Sequence, residues 1–88
     1  MASIPELSAA AGESLAQVLE AFAVIERAKA AIESSVSGMK GILRDAANPT
    51  MEAAITSAAN ARSMCEQAQY ALNESAGMLE QFQTSIHS

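Results

Sequence analysis

Apolar residues recur at alternating spacings of three and four along most of this 88-residue chain. That spacing is typical of long helices that pack along one seam, with apolar residues at positions a and d of a seven-residue repeat. With Leu15 at position a, the first seam comprises Leu15, Val18, Phe22, Ile25, Lys29, Ile32, Val36, Met39 and Leu43. The pattern then returns in a second seam, which comprises Met51, Ala54, Ala58, Ala61, Cys65, Ala68, Leu72, Ser75, Leu79, Phe82 and Ile86.

The two seams are separated by the short stretch Asp45–Thr50. Pro49 lacks an amide hydrogen and holds Asn48 outside the helical region of backbone space, so the first helix must end before it. Asn48 is a favourable N-cap, and proline is favoured in the first helical turn. We therefore predict a helix over about residues 4–46, a turn over 47–50 and a second helix over about 50–87.

These elements predict an all-α fold, an antiparallel two-helix hairpin that forms a single domain over residues 1–88. Folding at Asn48 pairs residues whose numbers sum to about 97, which sets large seam residues of the first helix against small ones of the second and favours close packing. At 1.5 Å per residue, each helix is roughly 60 Å long. Gly12, Gly38 and Gly41 leave open an interruption or a kink in the first helix.

The repeat gives the hairpin two different edges, because e positions flank one side of an antiparallel seam and g positions flank the other. The e side, here named the charged edge, contains Glu26, Glu33, Lys40 and Arg62. We expect it to be solvated, with Glu33 facing Arg62. The uncharged edge comprises the g positions and three neighbouring c positions: Ser14, Ala21, Val24, Ala28, Ala31, Ser35, Gly38, Ile42, Ser57, Met64, Ala71, Met78 and Ser85.

The uncharged edge predicts a docking face, because contiguous apolar surface of this extent is uncommon on soluble monomers. We expect it to bind a second hairpin, of the same chain or of another, and so to complete a four-helix bundle. The alternative is a poorly covered edge of a monomer. The predicted interface residues are Ala21, Val24, Ala28, Ala31, Ile42, Met64, Ala71 and Met78.

Composition and charge favour a protein partner and offer little for catalysis. The net charge of −5 and the scattered basic residues argue against nucleic acid and anionic membrane surfaces as partners. The only histidine, His87, is the penultimate residue, Cys65 lies in a seam, and no acidic residue occupies an a or d position. We therefore expect no enzymatic activity, no metal or other cofactor and no small-molecule substrate.

Sorting signals are also scarce. The start Met1–Glu6 has no basic residue and no long apolar core, so we expect no cleaved signal peptide. We expect no membrane span either, because the most apolar window, Leu15 to Ile32, contains four charged residues, Glu20, Glu26, Arg27 and Lys29. These observations predict a cytoplasmic location.

Two side chains allow alternative interpretations. Lys29, the one charged seam residue, either fixes register or partner choice, or packs its stem over Ala68 while its ammonium group reaches water and a nearby glutamate, Glu26 or Glu33. Tyr70 points outward with Glu74 one turn later. It is either a contact residue or a surface side chain resting on its neighbours.

An acidic hairpin of this length, with Tyr70-Ala71-Leu72-Asn73-Glu74 in its second helix, resembles the WXG100 (ESAT-6-like) proteins of type VII secretion. Members carry Trp-x-Gly at the turn, for which Met39-Lys40-Gly41 is the nearest candidate and lacks the Trp. Tyr70 and Glu74 match the Tyr-x-x-x-Asp/Glu export signature. The resemblance implies a dimeric, non-enzymatic bundle that is either a substrate secreted without a cleaved signal peptide or an escort for a larger effector.

The chain is also similar to the needle subunits of type III secretion, which are short hairpins with a proline-containing turn like Asn48-Pro49. That similarity implies a subunit of a helical filament built by head-to-tail contacts. A general coiled-coil interaction module is the third interpretation.

Overall fold

The computed structural model describes residues 1–87 and contains two long helices that pack against each other. α1 spans Ile4–Asp45 and α2 spans Pro49–Ile86, joined by a three-residue turn. The molecule measures 64 × 18 × 14 Å, which agrees with the predicted helix length. The all-α hairpin is confirmed, and each helix ends one residue earlier than predicted. The second begins at Pro49, directly after its N-cap.

Both helices begin at side-chain caps, and the cap of the second helix is the one that the sequence analysis predicts. The Ser3 hydroxyl accepts a hydrogen bond from the Glu6 amide at 3.3 Å and donates one to Glu6 Oε1 at 3.2 Å. Asn48 Oδ1 accepts hydrogen bonds from the amides of Thr50 and Met51 at 2.8 and 3.2 Å. These bonds satisfy amide groups that have no partner within their own helix, so the position of the turn is fixed locally.

The glycines do not interrupt α1, which is continuous over its 42 residues. A Cβ added at Gly38 or at Gly77 would meet no atom within 4 Å beyond the local helix, so neither glycine is required by packing. Gly12 differs, because a Cβ there would lie 3.3 Å from Gln83 Nε2. Gly12 therefore leaves room for the end of the Gln83 side chain, which is bonded to the carbonyl oxygen of Ser8.

The core of the hairpin is thin. Most seam residues are only half-buried, and among residues 1–87 only Ala11, Gln69 and Ala76 are buried. The accessible surface is 6056 Å², whereas a compact monomer of 9.1 kDa is expected to expose about 4,900 Å². Two isolated helices can cover only one stripe of each other, which leaves the rest of the apolar surface in contact with solvent.

Candidate interaction surface

In the middle of the charged edge, Gln69 joins the two helices through hydrogen bonds. The sequence analysis did not single out this residue. Its amide nitrogen donates hydrogen bonds to Glu26 Oε2 at 2.6 Å and to the carbonyl oxygen of Phe22 at 3.4 Å. Its amide oxygen accepts a hydrogen bond from Lys29 Nζ at 3.0 Å. One buried side chain of α2 thereby joins three residues of α1, and every bond crosses between the helices.

This cluster corrects two expectations. The charged edge is not fully solvated, because Gln69 and Ala76 are buried there. Lys29 does contact Glu26, at 3.5 Å, but its side chain is only 16% exposed, and its ammonium group is bonded to Gln69 instead of extending to water. The pairing rule of the hairpin, by which facing residues have numbers that sum to about 97, could have predicted this contact. The numbers 29 and 69 sum to 98, so the Gln69 amide lies opposite Lys29, the only charged seam residue.

The predicted pair between Glu33 and Arg62 is confirmed on the same edge. Arg62 Nε lies 2.6 Å from Glu33 Oε1, and a second guanidinium nitrogen lies 2.7 Å from Glu66 Oε1. The hydrogen bond to Glu33 and the charges of both carboxylates raise the pKa of Arg62. The pKa of Glu26 is lowered, first by the hydrogen bond from Gln69 and then by the charge of Lys29.

A further set of contacts ties the two chain ends together. Gln83 Nε2 donates to the carbonyl oxygen of Ser8 at 3.1 Å, and His87 Nε2 lies 3.1 Å from the Ser8 hydroxyl. The sequence analysis assigned no role to Ser8 or Gln83. The exposed His87 side chain therefore contacts α1 through one polar group.

The uncharged edge lies on the opposite side of the hairpin and is exposed along its whole length. Of its thirteen residues only Ala21 is half-buried, and the others are exposed. The large side chains are among the most exposed hydrophobic groups in the molecule, with Val24 at 47%, Ile42 at 52%, Met64 at 66% and Met78 at 64%. The smaller predicted interface residues Ala28, Ala31 and Ala71 are exposed between them. The edge is thus a largely apolar surface in water, formed by methyl and thioether groups together with four serine side chains.

The edge continues into a shallow depression beside the turn. Ile42, Ala46, Met51 and Ala54 provide its apolar lining, and Asn48 and Thr50 complete the rim. Ile42 lies in the last turn of α1, Ala46 in the connecting turn, and Met51 and Ala54 in the first two turns of α2. The apolar surface therefore reaches the end of the molecule.

The residues of the predicted export signature lie elsewhere. Tyr70 is 70% exposed, and Glu74 is also exposed one turn later on α2. Tyr70 therefore points outward, as predicted, and its role stays a prediction. Within residues 1–87, no three His, Cys, Asp or Glu side chains are grouped so that they could hold a metal ion.

Length and composition do not by themselves exclude a membrane span in α1. The helix contains an 18-residue window with a mean hydropathy of 1.2 and no more than two charged residues, of which 6% is buried. The charged window Leu15 to Ile32 therefore does not rule out a span for the whole helix. Core helices of soluble bundles meet the same two criteria, and the absence of a span stays a prediction.

Comparisons with known proteins do not suggest a function, so any functional argument rests on the geometry of the hairpin. No protein-family model, no curated protein and no solved structure matches this chain significantly.

Proposed function

We propose that this protein is a non-enzymatic assembly protein that binds a second helical hairpin through its uncharged edge and so forms a four-helix bundle. The observation that carries the proposal is the difference between the two edges. Hydrogen bonds and ion pairs cross between the helices on the charged edge, whereas Val24, Ile42, Met64 and Met78 stand in solvent on the other.

The exposed area supports a partner of this kind. The accessible surface of 6056 Å² exceeds that of a compact monomer of the same mass by about 1,200 Å². A standard protein interface removes about 800 Å² from each partner, so the surplus is large enough to supply one. A second hairpin of similar length fits a surface that is 64 Å long and only two helices wide.

A role like that of the WXG100 proteins is the physiological form of the proposal. The chain would then be a secreted substrate, or the escort of a larger effector, and the bundle would be the exported unit. The hairpin fold, the acidic charge and the exposed Tyr70 and Glu74 support this assignment. In that case Tyr70, at an outward position of α2, remains accessible in the bundle, whereas Glu74 lies within one turn of both Ala71 and Met78 and borders the uncharged edge.

Light scattering across a concentration series, combined with charge insertion, tests the proposal. We expect a discrete dimer or tetramer for the natural chain. Ala28→Glu and Ala71→Glu each place a carboxylate in the interface, where desolvation of the charge should weaken association by about a hundredfold or more. Ala30→Glu and Ala59→Glu are matched controls, since both alanines are exposed outside the uncharged edge.

The possible outcomes separate the alternatives. An oligomer whose mass does not respond to Ala28→Glu or Ala71→Glu would contradict docking through the uncharged edge. A mass that grows continuously with concentration would favour the filament subunit over a closed bundle. A chain that stays monomeric at every concentration would contradict self-association.

A further inference from the structure

The methionines of this chain occupy two different environments. Met39 and Met51 lie in the seam and are half-buried there. Met64 and Met78 lie on the uncharged edge, where they are 66% and 64% exposed. Met1 stands at the exposed start of the chain, outside both surfaces. The same thioether group is therefore partly covered by the fold at two positions and open to solvent on the edge.

Met64 and Met78 are also the only large apolar side chains that α2 contributes to the uncharged edge. The remaining α2 residues of that edge are Ser57, Ala71 and Ser85. Glu74, which is exposed, borders the edge between Ala71 and Met78. If the two thioethers became polar, Ala71 would be the only apolar residue left on the α2 side of the edge.

Methionine is the side chain of this edge that a mild oxidant makes polar. Its sulfur attacks one oxygen of hydrogen peroxide, a sulfur–oxygen bond forms, the oxygen–oxygen bond breaks, and the second oxygen leaves with both protons as water. The sulfur is oxidised by two electrons and the peroxide is reduced. Methionine sulfoxide is polar, and sulfoxide reductases reverse its formation. Hydrogen peroxide is uncharged, so Glu74 does not repel it, and the aliphatic side chains of Val24 and Ile42 do not react.

We propose that Met64 and Met78 are sites of reversible oxidation, and that their sulfoxides release the partner from the uncharged edge while the hairpin stays folded. The inference rests on the proposed function and names its regulation. A sulfoxide buried in the interface without a hydrogen-bond donor weakens association by about tenfold or more for each residue. The seam is spared, because Met64 and Met78 lie outside it and its own two methionines are partly covered.

Peroxide treatment of the Cys65→Ala chain tests the inference, because this variant has no competing thiol. In chain diluted until it is monomeric, we expect Met64 and Met78 each to gain one oxygen, about 16 Da by peptide mass spectrometry, about fivefold or more faster than Met39 and Met51. Light scattering should then show an association weakened by about a hundredfold, with the helix content unchanged by circular dichroism. Reduction of both sulfoxide epimers by their reductases should restore the oligomer.

Two double variants separate the edge from the seam. Met64→Leu combined with Met78→Leu keeps the edge apolar at a similar volume and removes its thioethers. The association of this variant, whatever its strength, should be the same before and after peroxide. Met39→Leu combined with Met51→Leu is the matched control, and peroxide should still release its oligomer.

Three results would each overturn the inference: equal oxidation rates for the edge and seam methionines, an oligomer that persists once Met64 and Met78 are oxidised, or peroxide release of the Met64→Leu, Met78→Leu oligomer. The proposed function fails separately and before peroxide is added, when Ala28→Glu and Ala71→Glu leave the oligomer unchanged. A chain that is monomeric at every concentration before treatment would overturn both, since peroxide would then have no oligomer to release.

Discussion

The two edges of this hairpin flank the same seam but are built from opposite chemistry. The charged edge contains long polar side chains, and Gln69 and Arg62 hold the helices together there through bonds of 2.6–3.0 Å. The uncharged edge contains short or apolar side chains, and its polar side chains are those of Ser14, Ser35, Ser57 and Ser85. Nearly all of it is exposed.

The difference shows where each edge obtains its stability. Long polar side chains can satisfy one another within a single hairpin, as Gln69 does with Glu26 and Lys29. Alanine and methionine gain free energy only when another apolar surface removes them from water. The charged edge therefore gains stability within the monomer through its polar side chains, whereas the alanines and methionines of the uncharged edge gain it only from a partner.

The largest expected effect comes from exchanging the chemistry of the two edges. Gln69→Met removes both hydrogen bonds to charged groups and leaves the mostly buried ammonium group of Lys29 with Glu26 alone, so we expect a loss of about 2–3 kcal/mol in the free energy of unfolding. Met64→Gln, at an exposed position, should cost the monomer almost nothing and weaken association. Chemical denaturation of the monomer measures the first effect, and light scattering measures the second.

Gln67→Met is the matched control for this exchange, because Gln67 is exposed on the same helix. If Gln69→Met and Gln67→Met denature at the same midpoint, the hydrogen-bond cluster does not close the charged edge.

The seam between the edges should respond next. Ala61 is half-buried in the seam of α2, where a small residue lets the helices approach. Ala61→Leu overpacks that position and should destabilise the hairpin by about 1–3 kcal/mol. Ala59→Leu, at an exposed position, is the control. Thermal unfolding followed by circular dichroism measures both, and equal melting temperatures would contradict close packing at Ala61.

A smaller effect distinguishes the uncharged edge from the outer face of the hairpin. Gly38 lies on the uncharged edge and Gly77 on the outer face of α2, and both have space for a Cβ. In the monomer, Gly38→Ala and Gly77→Ala should each stabilise the fold by about 0.5–1 kcal/mol, because glycine loses more backbone entropy on folding. When the chain is associated, only the Gly38→Ala gain should change, since a partner would cover that position. Melting temperatures compared at low and high protein concentration provide the measurement.

The smallest effect is the pH dependence of the charged edge. Gln69 and Lys29 lower the pKa of Glu26 below its ordinary value of 4.5. The carboxylate therefore stabilises the folded chain above pH 4.5, and this contribution is lost as the pH falls through the lowered pKa. We expect the difference in melting temperature between the natural chain and Glu26→Gln to be present at pH 7 and to shrink in acid. A difference that stays constant down to pH 3 would contradict a role for the ionised carboxylate.

The elements of the fold were predictable because their signals are local. Ser3, Asn48 and Pro49 mark helix starts through their own backbone and side-chain chemistry, and the repeat from Leu15 to Leu43 identifies the buried stripe. The pair between Glu33 and Arg62 followed from the turn position alone. These features depend either on residues that are close in the sequence or on the pairing of residues across the turn. Both can be predicted from the sequence alone.

Gln69 was not predictable in the same way. An e position near a seam can be exposed or buried, and the outcome depends on whether a partner stands at the right height on the other helix. Lys29 provides that partner, together with Glu26 and the carbonyl oxygen of Phe22. The burial of Gln69 depends on all four of these groups together. A heptad assignment describes each residue separately and so does not predict it.

The three buried residues have a consequence for the order of folding. Ala11, Gln69 and Ala76 all lie in the middle of the rod or toward the chain ends, and none lies near the turn. Contacts beside the turn close the shortest loops and so form first at the lowest entropic cost. The tightest packing, together with the bonds from Gln83 and His87 to Ser8, forms last. We therefore expect the hairpin to close from its turn toward the chain ends, and amide exchange should be fastest where the helices meet last.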